Sequence, residues 1–121
     1  MIALHDRVAE ALGSGGTMDI TTTGRRSGLP RRIELVYHNV DGRILISGKP
    51  GFPRSWIANL KVNPRFTFHL KHGVRADLPA TARVITNRAE RQRLLGPIAE
   101  GWRIDVGVMV ASAPLVEVTF D

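Results

Sequence analysis

Four arginines crowd one short turn. The run Thr21-Thr22-Thr23-Gly24-Arg25-Arg26-Ser27-Gly28-Leu29-Pro30-Arg31-Arg32-Ile33-Glu34-Leu35 sets them around glycines and a proline, between two strand-like segments. Guanidinium groups, the Ser27 hydroxyl and backbone N–H groups freed by Gly24 and Gly28 are the parts of a phosphate or carboxylate site, each charge-assisted bond contributing roughly 1.5–3 kcal/mol. The plainer alternative is a solvated basic hairpin. Four like charges within eight residues repel one another, however, so their crowding costs stability unless an anion relieves it, and this favours a ligand. The charge is also local. Residues 1–23 carry a net −2, residues 24–65 carry +7 (nine cations against Glu34 and Asp41) and residues 66–121 carry +1, so the chain's excess of +6 sits in one segment. Such a concentration points to an anionic partner at one place, whereas spread charge would speak only of solubility.

A second candidate is Ser47-Gly48-Lys49-Pro50-Gly51-Phe52-Pro53-Arg54-Ser55-Trp56, a glycine/proline loop with two further cations, leading into a helix whose first turn attracts anions. It also reads as an ordinary strand-to-helix connection, and Trp56 taken alone reads as a core anchor. Other chemistry is closed off. The chain has no cysteine, which removes thiolate metal sites, iron–sulfur clusters, disulfides and cysteine nucleophiles, so redox chemistry must come from a cofactor. His69 and His72 lack a third ligand and do not form H-E-x-x-H, His5 and His38 are expected to face solvent, and no metal site is expected. No Ser-His-Asp order, G-x-S-x-G elbow or phosphate-binding P-loop is present. The sequence pI of about 11.0 raises nucleic acid as a partner, but aromatics are only 6% and do not interleave with cations on adjacent strands, so none is expected. Fourteen of the seventeen cations are arginine, which suits bidentate recognition of phosphate or carboxylate and equally fits GC-rich coding.

The elements that must position these groups are short. Residues 2–12 read as an amphipathic helix stopped at Gly13-Ser14-Gly15-Gly16, which lacks the spacing of a dinucleotide-binding loop. Strands are expected over 17–23 and 32–40, with Asp41-Gly42 turning the second into a strand over 43–48. Ser55 is expected to cap a short helix carrying Trp56, Ile57 and Leu60, closed by Asn63-Pro64. Strands follow over 65–71 and 74–86, with an edge or a bulge where Pro79 breaks the ladder. Asn87-x-x-Glu90 is a capping box for a helix bearing Leu94, Leu95 and Ile98, ended near Gly101, and strands are expected over 106–111 and 115–120. Six or seven strands, three short helices and tight turns amount to a mainly β protein, a small and mostly antiparallel barrel. At 121 residues one domain spanning 1–121 is expected. No apolar run approaches the ~18–20 residues of a bilayer span, and Asp6 and Glu10 stand where a signal peptide would be apolar. A cytoplasmic location is expected, with the N-terminal helix left open as a point of peripheral membrane contact.

The segment Thr22-Thr23-Gly24-Arg25-Arg26-Ser27-Gly28-Leu29-Pro30-Arg31, followed by Gly48-Lys49 and then by Trp56-Ile57-Ala58-Asn59-Leu60-Lys61-Val62-Asn63-Pro64, resembles the deazaflavin (F420)-dependent nitroreductase family. That family belongs to the split β-barrel flavin and deazaflavin oxidoreductases, largely actinobacterial, a fold shared with FMN-binding and pyridoxamine-phosphate-oxidase-like proteins. The resemblance implies a split barrel binding reduced coenzyme F420, FMN being the alternative, with the anionic phospholactyl-oligoglutamate tail held by the basic turn. Carried over by position, it gives tail-binding roles to Arg25, Arg26, Ser27 and Arg31, a cation at Lys49, Trp56 and Asn59 on the helix backing the pocket, and Glu34, Leu35 and Val36 near the deazaflavin ring. The implied activity is hydride transfer to a small hydrophobic acceptor, a quinone, nitro or unsaturated compound. Some branches of the family hold fatty acids or other lipids without catalysis, which is the alternative reading. A homodimer is implied by analogy, since an open split barrel often completes its pocket with a second copy.

Overall fold

The computed structural model describes residues 4–51 and 54–121. Among these, helix α1 (Leu4–Ser14) leads into β1 (Gly16–Thr23), the arginine turn and β2 (Pro30–Val40), then β3 (Arg43–Ser47), α2 (Ser55–Val62), β4 (Arg65–Leu70), β5 (Ala76–Val84), α3 (Arg88–Trp102), α4 (Val106–Ser112) and β6 (Leu115–Phe120). The strands close in the order β1-β2-β3-β6-β5-β4, every neighbouring pair antiparallel. Alternation decides the faces: Met18 and Ile20 of β1, Ile46 of β3, Phe66 and Phe68 of β4 and Val116 of β6 point into the barrel and are buried there. Burying each such side chain contributes about 1.5–3 kcal/mol.

The two ends of the barrel are plugged differently. At one end α1 lays Val8, Ala11 and Leu12 on the interior core, and the Tyr37 hydroxyl donates to the Ala11 carbonyl at 2.7 Å. At the other, α2 inserts Trp56 and Leu60. A second apolar cluster lies outside the wall, where Leu94, Leu95, Ile98 and Ala99 of α3 and Met109 of α4 cover Val40, Leu45, Ile85 and Leu115. Among the described residues no helix is long and apolar enough to cross a membrane.

Several expectations are corrected. The segment expected as a strand over 106–111 is helix α4, which makes six strands and four helices among the described residues. Its alternating Val106, Val108 and Val110 imitate a strand, but Asp105 caps a helix by accepting from Val108 N at 3.1 Å, and Met109 and Ala113, one turn apart, bury against α3. Arg54, not Ser55, occupies the N-cap of α2, and it makes no side-chain capping bond. His38 does not face solvent freely: it is half-buried, its ring meets Trp102 edge-on at 5.1 Å, and burial pushes its pKa down. Pro79 needs no bulge, since β4 and β5 stay in continuous register past it. The expected edge is there, because β6 pairs with β5 only from Ala80 onward and the Pro79 carbonyl accepts from Asp121 N where β6 runs out. The loop expected over 49–53 lies partly outside the described residues, at Phe52 and Pro53.

Candidate functional site

The hairpin of β1 and β2 projects past one rim of the barrel. β2 pairs with β1 from Pro30 to Tyr37, but with β3 only from Val36 to Val40, so its first half projects past the end of β3. A cleft of about 440 Å³ lies beside that half, lined by Arg25, Arg26, Ser27, Arg31, Trp56 and Asn59, together with Thr22, Gly24, Arg32, Ile33 and Ser55. Arg31 and Ile33 lie opposite Thr22 and Ile20 of β1, so they share the inward face. The barrel's mouth and the arginine turn therefore form one wall each of the same cleft.

Asn59 joins those walls. Buried on α2, it accepts at Oδ1 from both the backbone N and the Nη1 of Arg25, each at 3.1 Å, and donates from Nδ2 to the Thr22 hydroxyl at 3.1 Å. The turn has its own closure: Gly24 N donates to Leu29 O at 2.8 Å, Gly28 N to Gly24 O at 2.9 Å, and Leu29 N to the Ser27 hydroxyl oxygen at 3.1 Å. The expectation that Gly24 and Gly28 free their N–H groups for a ligand is thereby overturned, since both donors are used inside the turn. Gly24 is required for another reason. A Cβ there would lie 2.5 Å from Ser27 Oγ and 3.2 Å from Leu29 O, so a side chain would displace the Ser27 hydroxyl and crowd the Leu29 carbonyl. The Ser27 hydroxyl accepts one bond and keeps its proton to donate.

Electrostatics set the cleft apart. Among the described residues no carboxylate lies within ion-pair distance of Arg25, Arg26 or Arg31. Arg32 is committed, its Nε on Asp19 at 3.0 Å. Asp19 also accepts from Lys71 Nζ at 2.7 Å, and the Lys71 and Arg32 bonds hold its carboxyl below the usual range. On the barrel's far side Arg43 and Arg83 share Glu90 and Glu117. Uncompensated guanidinium groups around a concavity are a standing invitation to an anion.

The remaining sequence candidates lie off the cleft's lining. Glu34 sits on the outer face with its carboxylate on Lys71, Leu35 packs half-buried against the interior core, and Val36 borders a separate hollow beside Gly13–Gly16. Lys49 is exposed, and its carbonyl accepts from Arg54 Nη2 at 2.6 Å. In the sequence Thr22 and Ile33 carry no site role, and Ser55 carries that of a helix cap at the end of the second candidate loop. Thr22 had a signal, since it continues the inward phase of Met18 and Ile20 into a position where a buried hydroxyl needs a partner.

A closed six-stranded antiparallel barrel with a projecting hairpin and a cationic cleft beside it fits the split-barrel class of flavin and deazaflavin oxidoreductases. The family model for F420H(2)-dependent quinone reductase matches residues 5–106, and the chain belongs to that family. Solved structures agree on the fold. The chain is similar to a structure named F420-H2 dependent reductase (FDR-A), at 25% identity over 85% of this chain and 93% of that one, TM-score 0.63. It is also similar to a candidate pyridoxamine 5′-phosphate oxidase from Listeria innocua (11% identity, 98% and 94% covered, TM-score 0.73). A FAD-binding protein from Mesorhizobium loti is a third (13% identity, 99% and 91% covered, TM-score 0.63). The cofactor of the family is coenzyme F420, and the cleft offers three guanidinium groups with no carboxylate within ion-pair distance among the described residues, next to the buried Trp56.

Proposed function

We propose that this protein catalyses hydride transfer between reduced F420 and a small hydrophobic acceptor such as a quinone, nitro or unsaturated compound. When bound, the deazaflavin supplies the hydride; the chain supplies position, charge and exclusion of water. Arg25 holds the acidic tail with its guanidinium pre-aimed by Asn59, so little rotamer entropy is lost on binding. Arg26 and Arg31 complete the anion clamp from the two sides of the turn, and Ser27 donates its remaining hydroxyl proton. Lys49 adds longer-range attraction. Trp56 forms the apolar floor, and Glu34, Leu35 and Val36 carry β2 from the clamp toward the ring's end of the cleft.

The carrying observation is the trio of arginines that line one cleft with no carboxylate within ion-pair distance among the described residues. Titrating the purified protein with F420 in low salt, following ring fluorescence, should give saturable binding. Replacing Arg25 or Arg31 by alanine should weaken it about 10- to 100-fold, the worth of one charge-assisted contact. Mixing the reduced complex with a soluble quinone should then oxidise the deazaflavin. No binding at concentrations on the order of tens of micromolar would reject the reading.

A further inference from the structure

Behind α2 lies a second hollow. Its volume is about 480 Å³, and it opens between α2, the end of β5 with the start of α3, and the end of α4 with the start of β6. Helical spacing divides α2 between two neighbours: Trp56 and Asn59 line the cleft, whereas Ile57 and Lys61, one turn apart, line the hollow. Three cations border it, Lys61 of α2 with Arg88 and Arg91 of α3. No carboxylate lines it, and among the described residues none lies within ion-pair distance of the three. Glu90, the acid between Arg88 and Arg91, is turned to Arg43 and Arg83.

Arg91 is held rigidly. Its Nε donates to Val110 O at 2.9 Å, Nη1 to Ile85 O at 3.0 Å, and Nη2 to Met109 O at 3.3 Å and Ala113 O at 2.6 Å. These bonds serve the end of α4, where carbonyls run out of helical partners. Neutral carbonyls satisfy four of its N–H groups but leave its charge in place, and burial pushes its pKa down. One N–H remains on Nη1. Arg88 lies one turn before Arg91 on the same helix face, and like charges so placed repel. Ile57, Val84 and Pro114, each half-buried, give the hollow an apolar wall.

Such a wall takes an organic group, and three cations without an acid are better matched by a dianion than by a single carboxylate. We infer that the hollow is a second anion site, separate from the cleft, and that its ligand is a phosphate monoester of a small apolar alcohol. The phosphate lies among Lys61, Arg88 and the spare Nη1–H of Arg91, and the organic group lies on Ile57, Val84 and Pro114. The site stands apart from the proposed function, since it uses no residue of the cleft.

Phenyl phosphate is the probe, and nitrogen-15 NMR of backbone amides and arginine Nε groups reports where it goes. Saturable shifts should appear at Lys61, Arg88 and Arg91, with a dissociation constant on the order of 0.1–1 mM. Inorganic phosphate lacks the organic group and benzoate the second charge, so each should bind there at least about fivefold more weakly. Lys61→Ala and Arg88→Ala should each weaken phenyl phosphate about 3- to 10-fold. Both side chains are exposed and make no hydrogen bond or ion pair among the described residues, so the fold loses nothing with them. Saturating F420 should leave the shifts in place. Shifts confined to the arginine turn would make the cleft the sole anion site and overturn the inference, as would an unchanged response in both variants. Inorganic phosphate or benzoate binding as tightly as phenyl phosphate overturns the ligand class. Loss of the shifts on adding F420 would give the hollow to the coenzyme and overturn its separateness.

Discussion

Asn59 has its polar atoms committed before any ligand arrives. Its oxygen serves two Arg25 donors and its nitrogen one hydroxyl, so what it offers an incoming anion is the position of Arg25 and not a bond of its own. Two substitutions separate these roles. Asn59→Ala leaves a buried hydroxyl and the Arg25 N–H groups without partners, and should cost about 1–3 kcal/mol in urea unfolding along with weaker F420 binding. Asn59→Asp keeps the acceptor toward Arg25, and the Thr22 hydroxyl can rotate to donate to it. The fold should then hold, but a negative charge has entered the clamp. Stability near that of the unaltered protein with F420 affinity down at least about tenfold is the expected result. Equal affinity for both proteins would show that Arg25 does not contact the anion.

At the scale of elements, one contact between helix α3 and the barrel is ionic, and it has a pH signature. Glu90 of α3 and Glu117 of β6 share the guanidinium groups of Arg43 and Arg83, at 2.7–3.3 Å, and this pairing pulls both carboxyls down to about 2 from an ordinary 4.5. A carboxylate lowered in the folded state stabilises the fold above its unfolded pKa, and that contribution is lost as pH falls through the folded value. Stability should therefore decline from about pH 4.5 towards 2, and Glu117→Gln should flatten that decline, measured as denaturation midpoint against pH. An unchanged profile would mean the pairs are solvated too well to matter. None of this was visible in the sequence, where Arg43, Arg83, Glu90 and Glu117 are scattered over 75 residues. What could be read was whatever is carried locally: the Asp41-Gly42 turn, the Asn87–Glu90 cap and the alternation of β1, β2 and β4. Helix α4 was misread because its valines alternate like a strand, while the deciding partner, the apolar face of α3, is set by tertiary packing. The cleft was half legible for the same reason. The turn is contiguous, so Arg25, Arg26, Ser27 and Arg31 could be grouped from their order, but the committed N–H groups of Gly24 and Gly28 depend on how the turn folds back on itself.

Across the whole molecule some arginines are matched by carboxylates and others are not, and Arg25, Arg26 and Arg31 of the cleft belong to the second kind. Around the Glu90–Glu117 pairs each guanidinium has its carboxylate, whereas Arg26 and Arg31 line one cleft with no acid within ion-pair distance among the described residues. Such a site stores repulsion that a bound anion releases, which places function and stability in opposition. Arg31→Gln should therefore raise the melting temperature of the ligand-free protein by about 1–3 °C at low salt, the effect of a few tenths of a kcal/mol, while reducing the stabilisation that added F420 brings. Salt should erase the first effect, because at 1 M the screening length falls to about 3 Å and exposed guanidinium groups no longer sense one another. A variant whose melting temperature falls at low salt, or whose gain persists at 1 M, would show that Arg31 holds the turn together by packing and not that it waits for an anion.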